Sequence, residues 1–196
     1  MNRKKRQAAV LFAILAVPFF AADLSLTVAG SPFCPSAGVR FYHGTSEIGG
    51  FDEMMGKVSP QAEISASCPI TGWFSAGLSV AYRHHFSDYT EKTFFTVPVY
   101  ADFSFRPPVE AGGVTFPLTV STGFYGQVLG NRVSFGPALR VSLGVDWPIT
   151  DIFGLLLSTQ HELLFAPDSL SSRVDLYYNW TPVSIGLRFL LPVLPW

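Results

Sequence analysis

Residues 133–147, "VSFGPALRVSLGVDW", decide the fold. The odd positions are Val133, Phe135, Pro137, Leu139, Val141, Leu143, Val145 and Trp147. The even positions are Ser134, Gly136, Ala138, Arg140, Ser142, Gly144 and Asp146. A period of two is the signature of a strand, with successive side chains on opposite faces. One face is apolar throughout, and the other is small, polar and balanced in charge. What each face meets then determines what the protein is.

The same pattern recurs along the chain. Strands are expected at about 36–45, 58–68, 73–86, 94–106, 116–128, 133–147, 153–166 and 173–191, with turn-forming Gly, Pro, Asn, Asp and Ser between them. No segment after the first 30 residues keeps a helical period. Eight strands at hairpin spacing indicate an all-β sandwich or barrel. "CPITGWFSAGLSVAYRHHF" and "WPITDIFGLLLSTQHELLF" echo one another weakly, which fits hairpins as the building unit.

The N-terminus reads as an export signal. "MNRKKR" is a basic leader and "QAAVLFAILAVPFFAA" a short apolar run broken by Pro18. Thr27-Val28-Ala29 offers small residues for cleavage, so the expected division is a signal peptide at 1–29 and a barrel at 30–196. Ala22 is the other candidate cleavage point.

Composition bears on the choice of solvent. Charged residues make up only 14% of the chain, against roughly a quarter in soluble domains. Beyond the leader the only lysines are Lys57 and Lys92, both in expected loops. A soluble β protein would place Lys and Glu on its outward strand faces. Here the polar face carries Ser, Gly and Thr with Arg40, Arg83, Arg106, Arg140 and Arg188 against Glu63, Asp102, Asp146, Glu162 and Asp175. Small residues and mutually neutralising charges suit a narrow interior filled by side chains. The apolar face then meets lipid, as in a transmembrane barrel. A secreted lipocalin-like barrel holding an apolar ligand is the alternative. Trp73, Trp147 and Trp196 fall at one end of the strands, and Trp180 lies about 28 Å higher for strands tilted by roughly 40°. Tryptophans at both levels match interfacial girdles. In the last strand, the faces of Val174–Trp180 and Val183–Phe189 agree only if one extra residue is accommodated at Thr181-Pro182. A β-bulge is expected there.

"SIGLRFLL", Ser184 to Leu191, places Ser184, Gly186, Phe189 and Leu191 in the pattern of the final-strand assembly signal of outer-membrane barrels. On these residues and the strand pattern the chain resembles the small eight-stranded barrels of the OmpX, OmpW and OmpA transmembrane-domain families. It departs from them in the tail "PVLPW", which ends in Trp. The resemblance implies an all-β, eight-stranded antiparallel up-and-down transmembrane β-barrel preceded by a signal peptide. It implies residence in the outer membrane of a diderm bacterium with both termini periplasmic. The implied partners are outer-membrane lipids, periplasmic chaperones and the barrel-assembly machinery.

Candidate chemistry follows. A first hairpin symmetric about Phe51 and Asp52 would face Arg40 with Glu63 and bring Cys34 near Cys68 for a disulfide. The charges serve either as a structural plug or as a polar relay. Pro60, Pro98 and Pro137 each remove a wall hydrogen bond. In the OmpW and PagP families such gaps accompany lateral passage of apolar molecules. Ile48, Phe51, Met54 and Met55 form an apolar cover on the first loop, over that weak wall, and a small hydrophobic ligand would suit such an entrance. His43, His84, His85 and His161, with Asp88, Thr45 and Ser46, supply the residue types of a lipid hydrolase or acyltransferase, but in no recognisable catalytic motif. No enzyme activity, cofactor, metal or nucleic-acid partner is expected. The expected function is a structural barrel or a narrow conduit for small or hydrophobic solutes. A surface-binding barrel acting through its loops is the alternative, and a lipid-modifying enzyme stands behind both.

Overall fold

The computed structural model describes residues 24–31, 36–42, 48–52, 60–85, 94–107, 113–129, 132–167 and 173–191. The strands are β1 (Leu24–Ser31), β2 (Ser36–Tyr42), β3 (Ile48–Asp52), β4 (Gln61–Pro69), β5 (Phe74–His85), β6 (Phe94–Phe105), β7 (Leu118–Leu129), β8 (Arg132–Pro148), β9 (Phe153–Pro167) and β10 (Arg173–Leu191). Every pairing is antiparallel. The order is β1-β4-β5-β6-β7-β8-β9-β10, and β1 pairs with β10 to close an eight-stranded barrel. β2 and β3 extend the wall beyond β1 along the upper half of β10.

Strand β8 answers the question posed by its sequence. Val133, Phe135, Leu139, Val141, Leu143, Val145 and Trp147 point out of the barrel, with Phe135 72% exposed. Ala138, Arg140 and Asp146 point in and are buried. The other strands divide the same way, so the barrel is polar inside and apolar outside. Arg83 is wholly buried, whereas Phe124 is 73% exposed. An exposed apolar band around a closed wall is the arrangement that hydrocarbon, not water, stabilises.

The first hairpin differs from expectation. Residues 24–31, which include the expected end of the leader, form the strand that closes the barrel. Leu24 faces Leu191 and Gly30 faces Ile185 across β10, while Ser25 faces Ser67 and Ser31 faces Gln61 across β4. A boundary between residues 29 and 30 therefore cuts through β1. The small residues that resemble a cleavage site also suit a narrow lumen. Thr27 and Ala29 face the narrow lumen, and a Cβ on Gly186 would sit 3.0 Å from that of Ala29.

Because the strand starts earlier, its partners shift. Glu63 lies opposite Ala29, and Arg40 lies opposite Gly50 and Asp175, so Arg40 and Glu63 are not partners. Ile48 and Phe51 belong to β3 rather than to a covering loop, while Met54 and Met55 lie outside the described residues.

Cys34 also lies outside the described residues, and Cys68 is a buried free thiol. The expected disulfide therefore lies outside the described residues.

β10 carries the expected irregularity. Its pairing with β9 shifts between Thr181 and Ser184, and the bulge lets Trp180 and Val183 both face outward. The strand behind it aligns the assembly-signal residues. Ser184 and Gly186 face in, with Ser184 Oγ donating to the Gly30 carbonyl at 3.3 Å, while Phe189 and Leu191 face out.

Candidate functional site

The lumen is built by the inward half of each strand's alternation. Its charged groups do not pair with their neighbours along the wall. Arg140 lies beside Ser121 on β7 and Glu162 on β9. Yet its Nη1 donates to Glu63 on β4 at 2.7 Å and its Nη2 to Asp102 on β6 at 3.0 Å. Glu162, next to Arg140 in register, instead bonds Arg83 on β5. In the ring order β4 and β8 stand opposite, as do β5 and β9. Two ion pairs therefore cross the full bore, which an eight-stranded barrel is narrow enough to allow.

Three tiers result. In the upper tier Glu162 accepts from Arg83, from Tyr100 OH and from Asn179 Nδ2, the last at 2.7 Å. Gln61 accepts from Arg83 Nε at 2.9 Å and from Thr181 Oγ1 at 2.9 Å, and donates to Gln160 at 3.0 Å. In the middle tier Arg140 also donates to Ser79 at 2.8 Å and to Ser121 at 3.3 Å. Its guanidinium lies 4.4 Å above the Tyr100 ring, so Tyr100 ties the two tiers together. In the lower tier Arg188 bonds Asp146, and Arg106 lines the same cavity as both. Burial of so many charges is tolerable only because they are paired and hydrogen-bonded. Together the upper two tiers set two ion pairs across the bore.

Of the ten charged residues in the expected set, the structure brings together Glu63, Arg83, Asp102, Arg140 and Glu162 in the upper tiers and Arg106, Asp146 and Arg188 below. Arg40 and Asp175 face each other at backbone level in β2 and β10, apart from these. A further feature was not anticipated. Tyr100, Tyr125, Ala138 and Leu164 form a buried apolar collar inside the barrel. Their strand phase carried the signal, since Leu164 alternates with Glu162, and Tyr125 with Ser121, on the inward face. Each tyrosine lies across from a glycine, Tyr100 from Gly123 and Tyr125 from Gly136. A Cβ at Gly136 would come within 1.9 Å of the Phe165 carbonyl oxygen, so only glycine admits this approach of β8 to β9.

The prolines leave their mark on the wall. Between β5 and β6 pairing runs up to Val80–Val99 and resumes at Arg83–Thr96, with Pro98 in the interruption. Between β8 and β9 it stops at Ala138–Leu164, although β8 continues along β7 to Arg132 and β9 along β10 to Pro167. Pro137 is the first residue past that stop. Proline has no N–H to give to the ladder. Pro60 stands exposed just before β4, its carbonyl still accepting from His84 N at 3.1 Å.

The remaining candidates lie outside the bore. Trp73 and Trp147 sit exposed at the rim that carries Leu24 and Leu191, and Trp73 stacks on Phe105. At the higher level His161 stacks on both Trp180 and Tyr178. His84 lies 3.2 Å from Tyr82 OH, also on the outer surface. Trp196, His43, Thr45, Ser46 and Asp88 are outside the described residues, and of His85 only the backbone is described.

Comparison with known proteins places this geometry. A family model without a functional description matches residues 35–182. No curated protein matches by sequence. Among solved structures, Neisserial surface protein A aligns with a TM-score of 0.61 and 11% identity, covering 86% of this chain and 97% of its own. OprG, an outer-membrane protein of Pseudomonas aeruginosa, aligns with a TM-score of 0.51 and 11% identity, covering 87% of this chain and 96% of its own. The chain thus has the fold of the small eight-stranded outer-membrane barrels.

Proposed function

We propose that this chain is an integral outer-membrane barrel, processed before Leu24, with both chain ends in the periplasm. It admits small apolar molecules sideways through its wall and conducts nothing freely along its axis. The exposed apolar band and the tryptophans at two levels support the membrane setting. The cross-bore ion pairs support a closed axis.

One observation carries the lateral route: both wall interruptions adjoin the apolar collar. Pro98 lies two residues along the inward face of β6 from Tyr100, and the β8–β9 ladder ends at the Ala138–Leu164 pair, so three of the four collar residues adjoin a gap. An apolar solute held there would be flanked by weak wall on both sides, above a polar floor that it cannot cross. The partners on this reading are outer-membrane lipids and, through Ser184, Gly186, Phe189 and Leu191, the barrel-assembly machinery with its chaperones. No catalytic step, cofactor, metal or nucleic acid enters it.

The test is uptake of a fluorescent lipophile by vesicles carrying the refolded barrel. Pro98→Ala and Pro137→Ala restore an N–H at each gap and should together slow uptake severalfold, while ion conductance stays near that of the bare bilayer throughout. Unchanged uptake in the double variant would refute the lateral route.

A further inference from the structure

The wall interruption at Pro98 has an outer lip that is not purely apolar. Pairing of β5 with β6 omits Ala81 and Tyr82, which face Pro98 and Val97 in the register set by Val80–Val99 and Arg83–Thr96. Ala81 and Pro98 turn inward and are buried, so the inner lip is apolar and leads to Tyr100 of the collar. Tyr82 turns outward and is 45% exposed. Its ring lies 5.7 Å from that of Phe95, and its hydroxyl lies 3.2 Å from His84 Nδ1.

A phenol has a proton to donate and lone pairs to accept with, and the contact with His84 uses only part of that capacity. On a lipid-facing wall the rest is met by whatever polar head lies beside it. Tyr82 stands about 23 Å above Trp73, for the stretch from Trp73 to Tyr82 on a strand tilted by roughly 40°. This puts the phenol just inside the upper edge of an apolar band of ~25 Å. An amphiphile dissolved in the bilayer keeps its polar head at that edge and its tail in the hydrocarbon.

Charge limits the head further. Among the described residues, the outer faces of β5 and β6 carry no Asp, Glu, Lys or Arg. A charged head would find no counter-ion there, and a headless hydrocarbon gains nothing from the phenol. The bulge beside Pro182 is not a second entrance of this kind. Thr159 Oγ1 donates to the Thr181 carbonyl there at 3.1 Å. Behind it, Gln160 and Thr181 are hydrogen-bonded to Gln61 at 3.0 and 2.9 Å, so a tail would meet polar groups.

On the basis of the lateral route above, we propose that the Pro98 break takes an apolar molecule with one neutral hydroxyl head, a long-chain alcohol. The head hydrogen-bonds Tyr82 OH, and the tail passes between β5 and β6 toward Tyr100. Tyr82 sets the specificity of the entrance, much as a few placed polar groups orient a ligand in an apolar pocket.

The experiment offers a pyrene-labelled long-chain alcohol and a pyrene-labelled alkane of equal length to phosphatidylcholine vesicles carrying the refolded full-length barrel. Uptake rate is followed against probe concentration. The alcohol should half-saturate at a severalfold lower concentration than the alkane. Tyr82→Phe keeps the ring beside Phe95 and removes the hydroxyl. It should raise the half-saturating alcohol concentration about fivefold, as for one lost neutral hydrogen bond, and leave the alkane unchanged. A merely structural role would move both probes together. The matching carboxylic acid, ionised at about pH 9, should compete with the alcohol probe about tenfold more weakly than unlabelled alcohol does. If Tyr82→Phe does not refold, the preference between the probes and the acid competition still decide. Equal half-saturation by the two probes, unchanged alcohol uptake in Tyr82→Phe, or equal competition by the acid would each overturn the proposal. Tyr82 would then be a girdle residue only, with the lateral route still standing. Uptake of neither probe above that of bare vesicles would refute the lateral route itself, and this inference with it.

Discussion

Replacing Arg140 with methionine tests the plug directly. Its guanidinium makes contacts to Glu63 at 2.7 Å, Ser79 at 2.8 Å, Asp102 at 3.0 Å and Ser121 at 3.3 Å, and it covers the Tyr100 ring. Methionine keeps most of the stem volume and removes the charge. Glu63 and Asp102 are then left as two carboxylates in the bore with no cation between them. Breaking a buried pair by removing one partner costs about 3–5 kcal/mol. Glu63 still accepts from Gln160 at 3.4 Å, and the cavity below admits water, so the lower end of that range applies.

A loss of about 3 kcal/mol, with a urea slope of roughly 2 kcal/mol/M, moves the unfolding midpoint down by about 1.5 M. The triple change Glu63→Gln, Asp102→Asn and Arg140→Met leaves no unpaired charge and should recover most of the loss, since neutral replacement of a whole buried cluster is often tolerated. The assay is urea unfolding of the refolded barrel in micelles, read by tryptophan fluorescence. A single variant that loses less than about 1 kcal/mol, or a triple variant no better than the single, would refute the account of the lumen as a set of mutually dependent charges.

Three further outcomes follow from the wall. N-terminal sequencing of envelope-purified protein should find a first residue before Leu24, and deleting residues 24–29 should abolish the heat-modifiable barrel band on a gel, because β4 and β10 lose the strand between them. Gly136→Val should cost more than about 2 kcal/mol, since its Cβ would strike a backbone carbonyl. Gly72→Val, with nothing within 4 Å, should be neutral in the same unfolding assay. Maleimide labelling of unreduced protein should reach Cys68, a buried free thiol, only after denaturation, and rapid labelling of Cys68 in the folded barrel would contradict its burial.

The fold was largely legible because a barrel wall is written in local alternation. Each residue of 133–147 declares its face by parity alone, and a one-residue slip would turn every side chain over. The same parity required the bulge in the last strand, where the two apolar runs fall out of step. Residues 24–31 escaped for a physical reason. "LSLTVAGS" alternates as β8 does, but its small lumen-facing residues are also what a signal cleavage site displays. Proximity to a leader favoured the cleavage reading over a strand, and with it went the first hairpin's register, the Arg40–Glu63 partnership and the placement of Ile48 and Phe51 on a covering loop. The collar was less legible because charges dominate the inward face, although the parity of Tyr125 and Leu164 places them on it.

Alternation along the chain, sparse lysine and the girdle tryptophans determined by themselves that one face meets hydrocarbon and the other a narrow polar interior. They settled which residues turn inward, since parity is a property of each strand alone. Which inward charges meet was decided only by closure of the wall. Arg83 reaches Glu162 across 79 residues and Arg140 reaches Glu63 across 77, because a ring of eight strands sets opposite walls within one pair of side chains of each other. Distance across a bore depends on the number and register of all the strands at once, and no single stretch of sequence records it.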